Sequence, residues 1–468
     1  MLFPIPRRAP LALAVAGAFI APAAQASLPD LTVPALTLKT LDASVRQFSG
    51  FDVAALPGER FAVVWSEYGD GGAGQVWLRR YDQAGQALAD AVVLAEDNDR
   101  VLASPAIAAD DAGNLWVSWG NSASADFTRG ALCQTGMAMV RVSPDDTVTS
   151  VTTPSPQGSV CARQVAANAG GNAVLAWFER GSQESSEPLL FSTYGSNGGD
   201  LAGPVQVAGN VDFHVSVALN DDGTLLAAWE DRAVVYGQRF NLNGNPVDDG
   251  AGRLDQNRQS GASLVQRLPS VSDDADGGFV ASWNQDDIIA EDPDFQRTVR
   301  AQRWAADGTA GDTLLLDNEE YDFAIDYSVP RVATDSAGNL VSVWVVVDDP
   351  RPLAARGTVI SAGGEVIGER GTEFANVSDL DDMAPTGDPK VALSDDLAVV
   401  AWQGTAGDQA VLRAKVAGNA LAGDGDDGAG GDGQNGGDGG ADDLWGGGAT
   451  GLGALLLMAL LGRRRRRR

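Results

Sequence analysis

The chain predicts an all-β fold, a seven-bladed β-propeller of four-stranded blades, and three observations carry that prediction. A short apolar phrase ending in tryptophan recurs, with anchors at Trp65, Trp119, Trp177, Trp229, Trp283, Trp344 and Trp402. Successive anchors lie 54, 58, 52, 54, 61 and 58 residues apart. Each copy divides into strand-like runs separated by Asp/Asn/Gly turns, with almost no helical periodicity, and four strands in about 56 residues describe one propeller blade.

The elements follow in chain order. Arg7 and Arg8 precede an apolar run from Leu11 to Ala21, and Ala24-Gln25-Ala26 is a small-x-small cleavage site. Residues 1–26 therefore read as a signal peptide cut between Ala26 and Ser27, following the Sec route because the residues after the arginine pair do not support twin-arginine export. Residues 27–46 hold an apolar strand, Leu31 to Leu38, that belongs to no repeat. The last repeat stops soon after Ala420, short of a full fourth strand. The spare strand is predicted to complete that blade and close the ring, which removes the exposed sheet edges.

Within the propeller, 47–422, most copies repeat one internal order. A short apolar strand comes first, as in Pro105-Ala106-Ile107-Ala108, Val215-Ser216-Val217-Ala218 or Pro389-Lys390-Val391-Ala392. A tight turn such as Asp110-Asp111-Ala112-Gly113 follows, in which Asp or Asn bonds its own turn backbone and Gly accepts positive φ. The tryptophan strand is next. A third strand, such as Val235 to Phe240 or Val299 to Trp304, follows a variable loop, and a less marked fourth strand leads to the next copy. Phrases such as Gln238-Arg239-Phe240-Asn241-Leu242-Asn243-Gly244 resemble the tryptophan-anchored repeats of bacterial surface and secreted proteins, a resemblance that implies fold rather than activity.

Residues 423–443 form an Asp/Gly-rich spacer, and 444–468 carry a glycine cluster, an apolar run and the six arginines Arg463 to Arg468. Leu444 to Gly462 contains no charge and, as a helix, just matches the ~30 Å hydrocarbon core, with the arginines held in the cytoplasm. This order resembles the GlyGly-CTERM sorting signals of exported proteobacterial proteins, processed by rhombosortase, an intramembrane rhomboid-type protease. The resemblance rests on Gly446-Gly447-Gly448-Ala449-Thr450-Gly451, the leucine-rich Leu452 to Leu461 and the arginine tail. It implies cleavage near Gly446, Gly447 and Gly448, with signal peptidase and a rhombosortase-type protease as processing partners and export by the type II route. The expected location is a membrane-anchored precursor released to the cell surface or medium; a plain single-pass anchor is the alternative.

The net charge is −30, and without the eight arginines of the two terminal signals 25 basic residues face 63 acidic ones, a net of −38. Such a body repels phosphate backbones, which excludes nucleic acid as a partner. Cys133 and Cys161 are the sole cysteines, and in an oxidising compartment they predict a disulfide restraining a long loop from Thr147 to Val160.

No catalytic constellation is present. The turns differ in spacing from the Asp-boxes of sialidases, since Asp335, Gly338 and Trp344 form Asp-x-x-Gly-x5-Trp. No cofactor is predicted. Asp273-Asp274-Ala275-Asp276-Gly277 and Asp424 to Gly428 concentrate oxygen ligands for calcium but follow no calcium-loop pattern, so they read as a solvated turn and a flexible spacer. His214, the one histidine, starts an inner strand and reads as buried or channel-lining. Arg80, Arg141, Arg239, Arg303 and Lys415 recur before the turn after the third strand, where they form either an anion-binding circle or pairs with acids between blades. Long inserts, Asn121 to Met137 and Asn284 to Arg297, are expected to set specificity on the top face or in the central channel. The sequence thus predicts an exported binding or scaffolding propeller with an extracellular glycan or protein ligand. An extracellular hydrolase or lyase on polysaccharide or protein, and a purely structural envelope protein, stay open.

Overall fold

The computed structural model describes residues 34–69, 73–122, 133–156, 158–180, 187–209, 211–254, 263–288, 295–320, 325–348, 351–376 and 388–418. The Ala26–Ser27 junction, the acidic spacer and the segment with Gly446, Gly447 and Gly448 lie outside them. Among the described residues no helix is long and apolar enough to cross a membrane.

Seven antiparallel sheets follow one another along the chain and form the seven blades. In blade 1 the strands Arg46–Leu56, Arg60–Gly69, Gly74–Asp82 and Val92–Asp97 pair in sequence order. Blade 7 takes three strands from the end of the repeats and its fourth from the start of the chain. Leu36–Asp42 pairs antiparallel with Gln409–Gly418, which closes the ring as predicted. The closing strand lies later than Leu31 to Leu38, because its apolar contacts come from Leu38 and Leu41 packing into blade 1.

The tryptophan strand reads as a continuous apolar run because blades cover it on both sides. Strand periodicity sends alternate residues to opposite interfaces: Val63 and Trp65 pack between blades 7 and 1, Ala62 and Val64 between blades 1 and 2. Among the described residues there are seven buried clusters, one for each interface. Every anchor tryptophan packs against the preceding blade and is at most 5% exposed, so these rings are blade core and offer no platform for a sugar. Three turn their indole N–H onto a side chain two residues on: Trp65 to Glu67 (2.7 Å), Trp177 to Glu179 (2.9 Å) and Trp283 to Gln285 (3.3 Å).

The Asp/Asn turns also join blades. Asn168 donates to the Asn220 carbonyl of blade 4 (3.2 Å), and Asn220 to the Gly277 carbonyl of blade 5 (2.7 Å). Two sequence expectations change. Residues Val148–Val151 form the fourth strand of blade 2, so 147–160 is no open loop. The blade 5 insert is a hairpin extension, with Asn284 to Ile288 paired against Val299 to Phe295, because its own polar residues continue the ladder.

Candidate functional site

The first strands of the blades line the central channel, and their N-terminal halves enclose a cavity of about 610 Å³. That is within the usual range for a ligand site. A bulge interrupts five of these strands at this level, at Phe48/Gly50, Ala103/Ala106, Val160/Ala162, Asp212/Val215 and Arg267/Ser270. Bulges re-aim side chains and end regular pairing, so the channel widens there instead of continuing as a ladder. At Gly50 the backbone has φ +143°, and a Cβ would lie 2.9 Å from the Ser104 backbone of blade 2. Only glycine allows that approach.

Below the bulges the strands share one register. Asp52, Ala106, Gln164, Ser216, Ser270, Arg331 and Lys390 each lie opposite the residue that precedes an anchor tryptophan. In four blades this side chain accepts a backbone N–H from the next blade. The donors are Ile107 N–H to Asp52 (3.1 Å), Val217 to Gln164 (2.9 Å), Val271 to Ser216 (3.0 Å) and Val332 to Ser270 (3.4 Å). The result is a belt of hydrogen bonds around the channel. It lapses at Ala106, which has no acceptor, and in blades 6 and 7, where Arg331 and Lys390 are donors only. Asp52 compensates at the ring closure, since its other oxygen accepts the Val53 N–H (3.0 Å).

Three cations, Arg163, Arg331 and Lys390, and two carboxylates, Asp52 and Asp388, line the cavity among the described residues. Cations therefore outnumber acids here, the reverse of the chain as a whole. Arg163 stands where blades 2, 5, 6 and 7 have Pro105, Pro269, Pro330 and Pro389. Its guanidinium donates to the Gln134 side chain and to the Ala103 and Ser104 carbonyls, the last at 2.6 Å. Burial pushes it down to about 9, so it stays charged at neutral pH. Arg331 meets Asp388 at 3.7 Å, while its Nε is buried without a hydrogen-bond partner. Burial first, then the charge of Arg331, lowers the Lys390 pKa, and Asp52 and Asp388 offset this in part. His214 lines the same cavity, and burial and then Arg331 push its imidazole down to about 4. It is neutral at physiological pH.

The Cys133–Cys161 disulfide is formed. It ties the end of the blade 2 insert to the first strand of blade 3, at the cavity wall. Gln134, beside it, exchanges two backbone hydrogen bonds with Val160 (2.7 and 2.8 Å) and presents its side chain to Arg163. The bridge therefore fixes the segment from Cys133 to Met137 against the site.

Three of the five third-strand cations, Arg80, Arg239 and Arg303, are spent on neighbours and are not offered to an anion. Arg80 reaches the Ser143 carbonyl (2.9 Å) and Asp146 in blade 2, while Arg239 holds Asp248 (2.6 Å) and the Ala306 carbonyl of blade 5. Arg303 holds Asp274 (2.7 Å) and the Gly338 carbonyl of blade 6 (2.6 Å). These are staples between neighbouring blades. Asp274 is thereby committed to Arg303, and among the described residues no group of three or more His, Cys, Asp or Glu could hold a metal ion.

No family model matches the chain, and no curated protein matches it. Solved structures with a similar course include a protein of unknown function from Dyadobacter fermentans (9% identity, 82% of this chain and 98% of that one, TM-score 0.43). A polysaccharide lyase of family PL25, an ulvan lyase bound to -[GlcA(1-4)Rha3S]-, is 13% identical over 81% of this chain and 96% of its own, TM-score 0.45. An α-L-arabinofuranosidase of family GH93 from Fusarium graminearum is 11% identical over 67% and 92%, TM-score 0.43. At these scores the neighbours say nothing of this chain's chemistry.

Proposed function

We propose that this protein is an exported binding propeller whose ligand enters the central cavity. The observation that supports it best is the lapse of the belt in blades 6 and 7. A position that joins blades elsewhere is there given to long cations facing the cavity. A purely structural ring has no use for that exchange. The test is a binding screen of the purified 27–443 protein on glycans and envelope polymers, repeated with Ala162→Trp, which fills the cavity from a bulge without altering charge. Hits that vanish in the variant support the reading; hits that persist, with the variant folded, sink it.

A second reading, a hydrolase or lyase on extracellular polysaccharide or protein, draws on His214, an uncharged imidazole inside the cavity. It ranks lower for two reasons. A base at about 4 is far from the neutral range where proton transfer is most effective. Both Asp52 oxygens are bonded to backbone, and Asp388 faces Arg331, which leaves no free carboxylate pair for glycoside hydrolysis among the described residues that line the cavity. Turnover of any polysaccharide that His214→Gln abolishes would reverse the ranking.

Export and processing belong to the same proposal. Mass spectrometry of the mature protein should find Ser27 first and a last residue near Gly446 to Gly448. An intact arginine tail on secreted material would rule out the processing.

A further inference from the structure

We infer that the cavity ligand is an acidic sugar, whose carboxylate or sulfate ester sits between Lys390 and Arg331 with its ring toward Gln164 and His214. The inference rests on the cavity being the binding site and names what that site selects.

The first support is the cost of the two cations to the fold. An acceptor at position 331 or 390 would reach toward Val391 or Val53 of the next blade, as Asp52, Gln164, Ser216 and Ser270 do toward theirs. Lysine and arginine cannot accept, so two consecutive interfaces forgo the bond. The second is that these cations are poorly answered by protein. The Lys390 ammonium has no hydrogen bond or ion pair among the described residues, and the Arg331 guanidinium has one long ion pair, to Asp388 at 3.7 Å. Arg331 also disfavours the charged form of Lys390. Two like charges beside one half-buried space are relieved by an anion between them, and a charge-assisted bond there is stronger than one in water.

Arg163 supplies the contrast. Both of its terminal nitrogens are bonded to oxygens of the blade 2 segment, and only its Nε is left without a partner, so it holds the wall and is not offered to a ligand. The surrounding charge narrows the class further. A body with a net charge of −38 once the eight terminal arginines are set aside repels polyanions at long range, so one anionic group reaching a recessed cation pair fits better than a highly charged polymer. A volume of about 610 Å³ has room for one or two sugar rings, and Gln164, Ser270 and the neutral His214 provide partners for hydroxyl groups.

The experiment is calorimetric titration of the full 27–443 protein with galacturonate and glucuronate, with galactose and glucose as neutral counterparts, and with galactose 6-sulfate, inorganic sulfate and an acidic dipeptide. Variants are Lys390→Met, Arg331→Met, Lys390→Arg and the cavity-filling Ala162→Trp, each checked for fold by circular dichroism. The expected result is an acidic sugar bound at least about tenfold tighter than its neutral counterpart, a preference lost in either Met variant and largely restored by Lys390→Arg. The uronate and sulfate-ester arms decide between the two anions. Equal affinity for acidic and neutral sugars, both lost in Ala162→Trp, would overturn the inference and leave the cavity as the site. Acidic-sugar binding that survives Ala162→Trp would overturn the cavity reading itself. Sulfate or the dipeptide binding as tightly as the sugar acids would remove the sugar from the inference, and no binding by any probe would overturn it altogether.

Discussion

Asp52→Asn tests the belt and the cavity with one atom exchanged. In the wild type one carboxylate oxygen accepts Ile107 N–H from blade 2 at 3.1 Å and the other accepts Val53 N–H at 3.0 Å. A hydrogen bond to a charged group contributes about 1.5–3 kcal/mol and a neutral one about 0.5–1.5. The amide keeps one acceptor, now neutral, and turns an N–H₂ toward the other donor, so one bond is lost and one weakened. The expected destabilisation is about 2–3 kcal/mol. Ser216→Ala, which removes a single neutral bond to Val271 N–H at 3.0 Å, should cost about 1 kcal/mol. Both are read from urea midpoints, provided the slope is unchanged. The same Asn removes a negative charge whose field favours charged Lys390, so acidic-sugar affinity should fall together with stability. A loss below about 0.5 kcal/mol in Asp52→Asn, or equal losses in the two variants, would show that channel water replaces the belt and would refute the reasoning.

Other outcomes follow from the same geometry. Trp283→Ala, at a fully buried position between blades 4 and 5, should cost about 3–5 kcal/mol in denaturant. Cutting the bridge with Cys133→Ser and Cys161→Ser should cost about 3–4 kcal/mol for a 28-residue separation, and should weaken cavity binding through Gln134 and Arg163. His214 titrates near 4 in the folded state against about 6.5 unfolded, so in that window only the unfolded chain holds the proton and stability falls as pH falls. His214→Gln should therefore flatten the fall in stability below about pH 6; an unchanged profile would place the imidazole in bulk-like water.

The architecture was legible because the fold repeats its own reasons. Trp65 and its counterparts recur in phase, and each turn needs the same Asp or Asn before glycine, so period and strand order could be counted. The closing strand was legible from a deficit, a last copy one strand short. The site was not, although its residues were in view. In sequence, Pro389-Lys390-Val391-Ala392 reads as a strand equivalent to Val215-Ser216-Val217-Ala218, and nothing marks the lysine as the odd member of its column. Its meaning depends on the bulges, which shift register by amounts no composition announces, and on Ser216 bonding a residue 55 positions away. The cations that drew attention, Arg80, Arg239 and Arg303, lie one strand pair outward and are spent on neighbouring carbonyls. His214 was placed on the channel correctly, but its neutral state at physiological pH comes from burial and from Arg331, which stands 117 residues later in the chain.

The strand that completes blade 7 is a matter of timing as well as geometry. Leu36–Asp42 must stay unpaired until Gln409–Gly418 has been made and delivered, because no other strand offers it that ladder. On a chain exported as proposed, first residue leading, the earliest described β-segment to arrive is among the last to be placed. Blades 1 to 6 can stack as they appear, but the first and seventh stay unsealed, and the cavity between Asp52 and Lys390 has no wall on that side. On the proposed function, ligand binding becomes available only to a chain delivered at least as far as its final repeat, and a product cut short before it presents an open edge instead of a site.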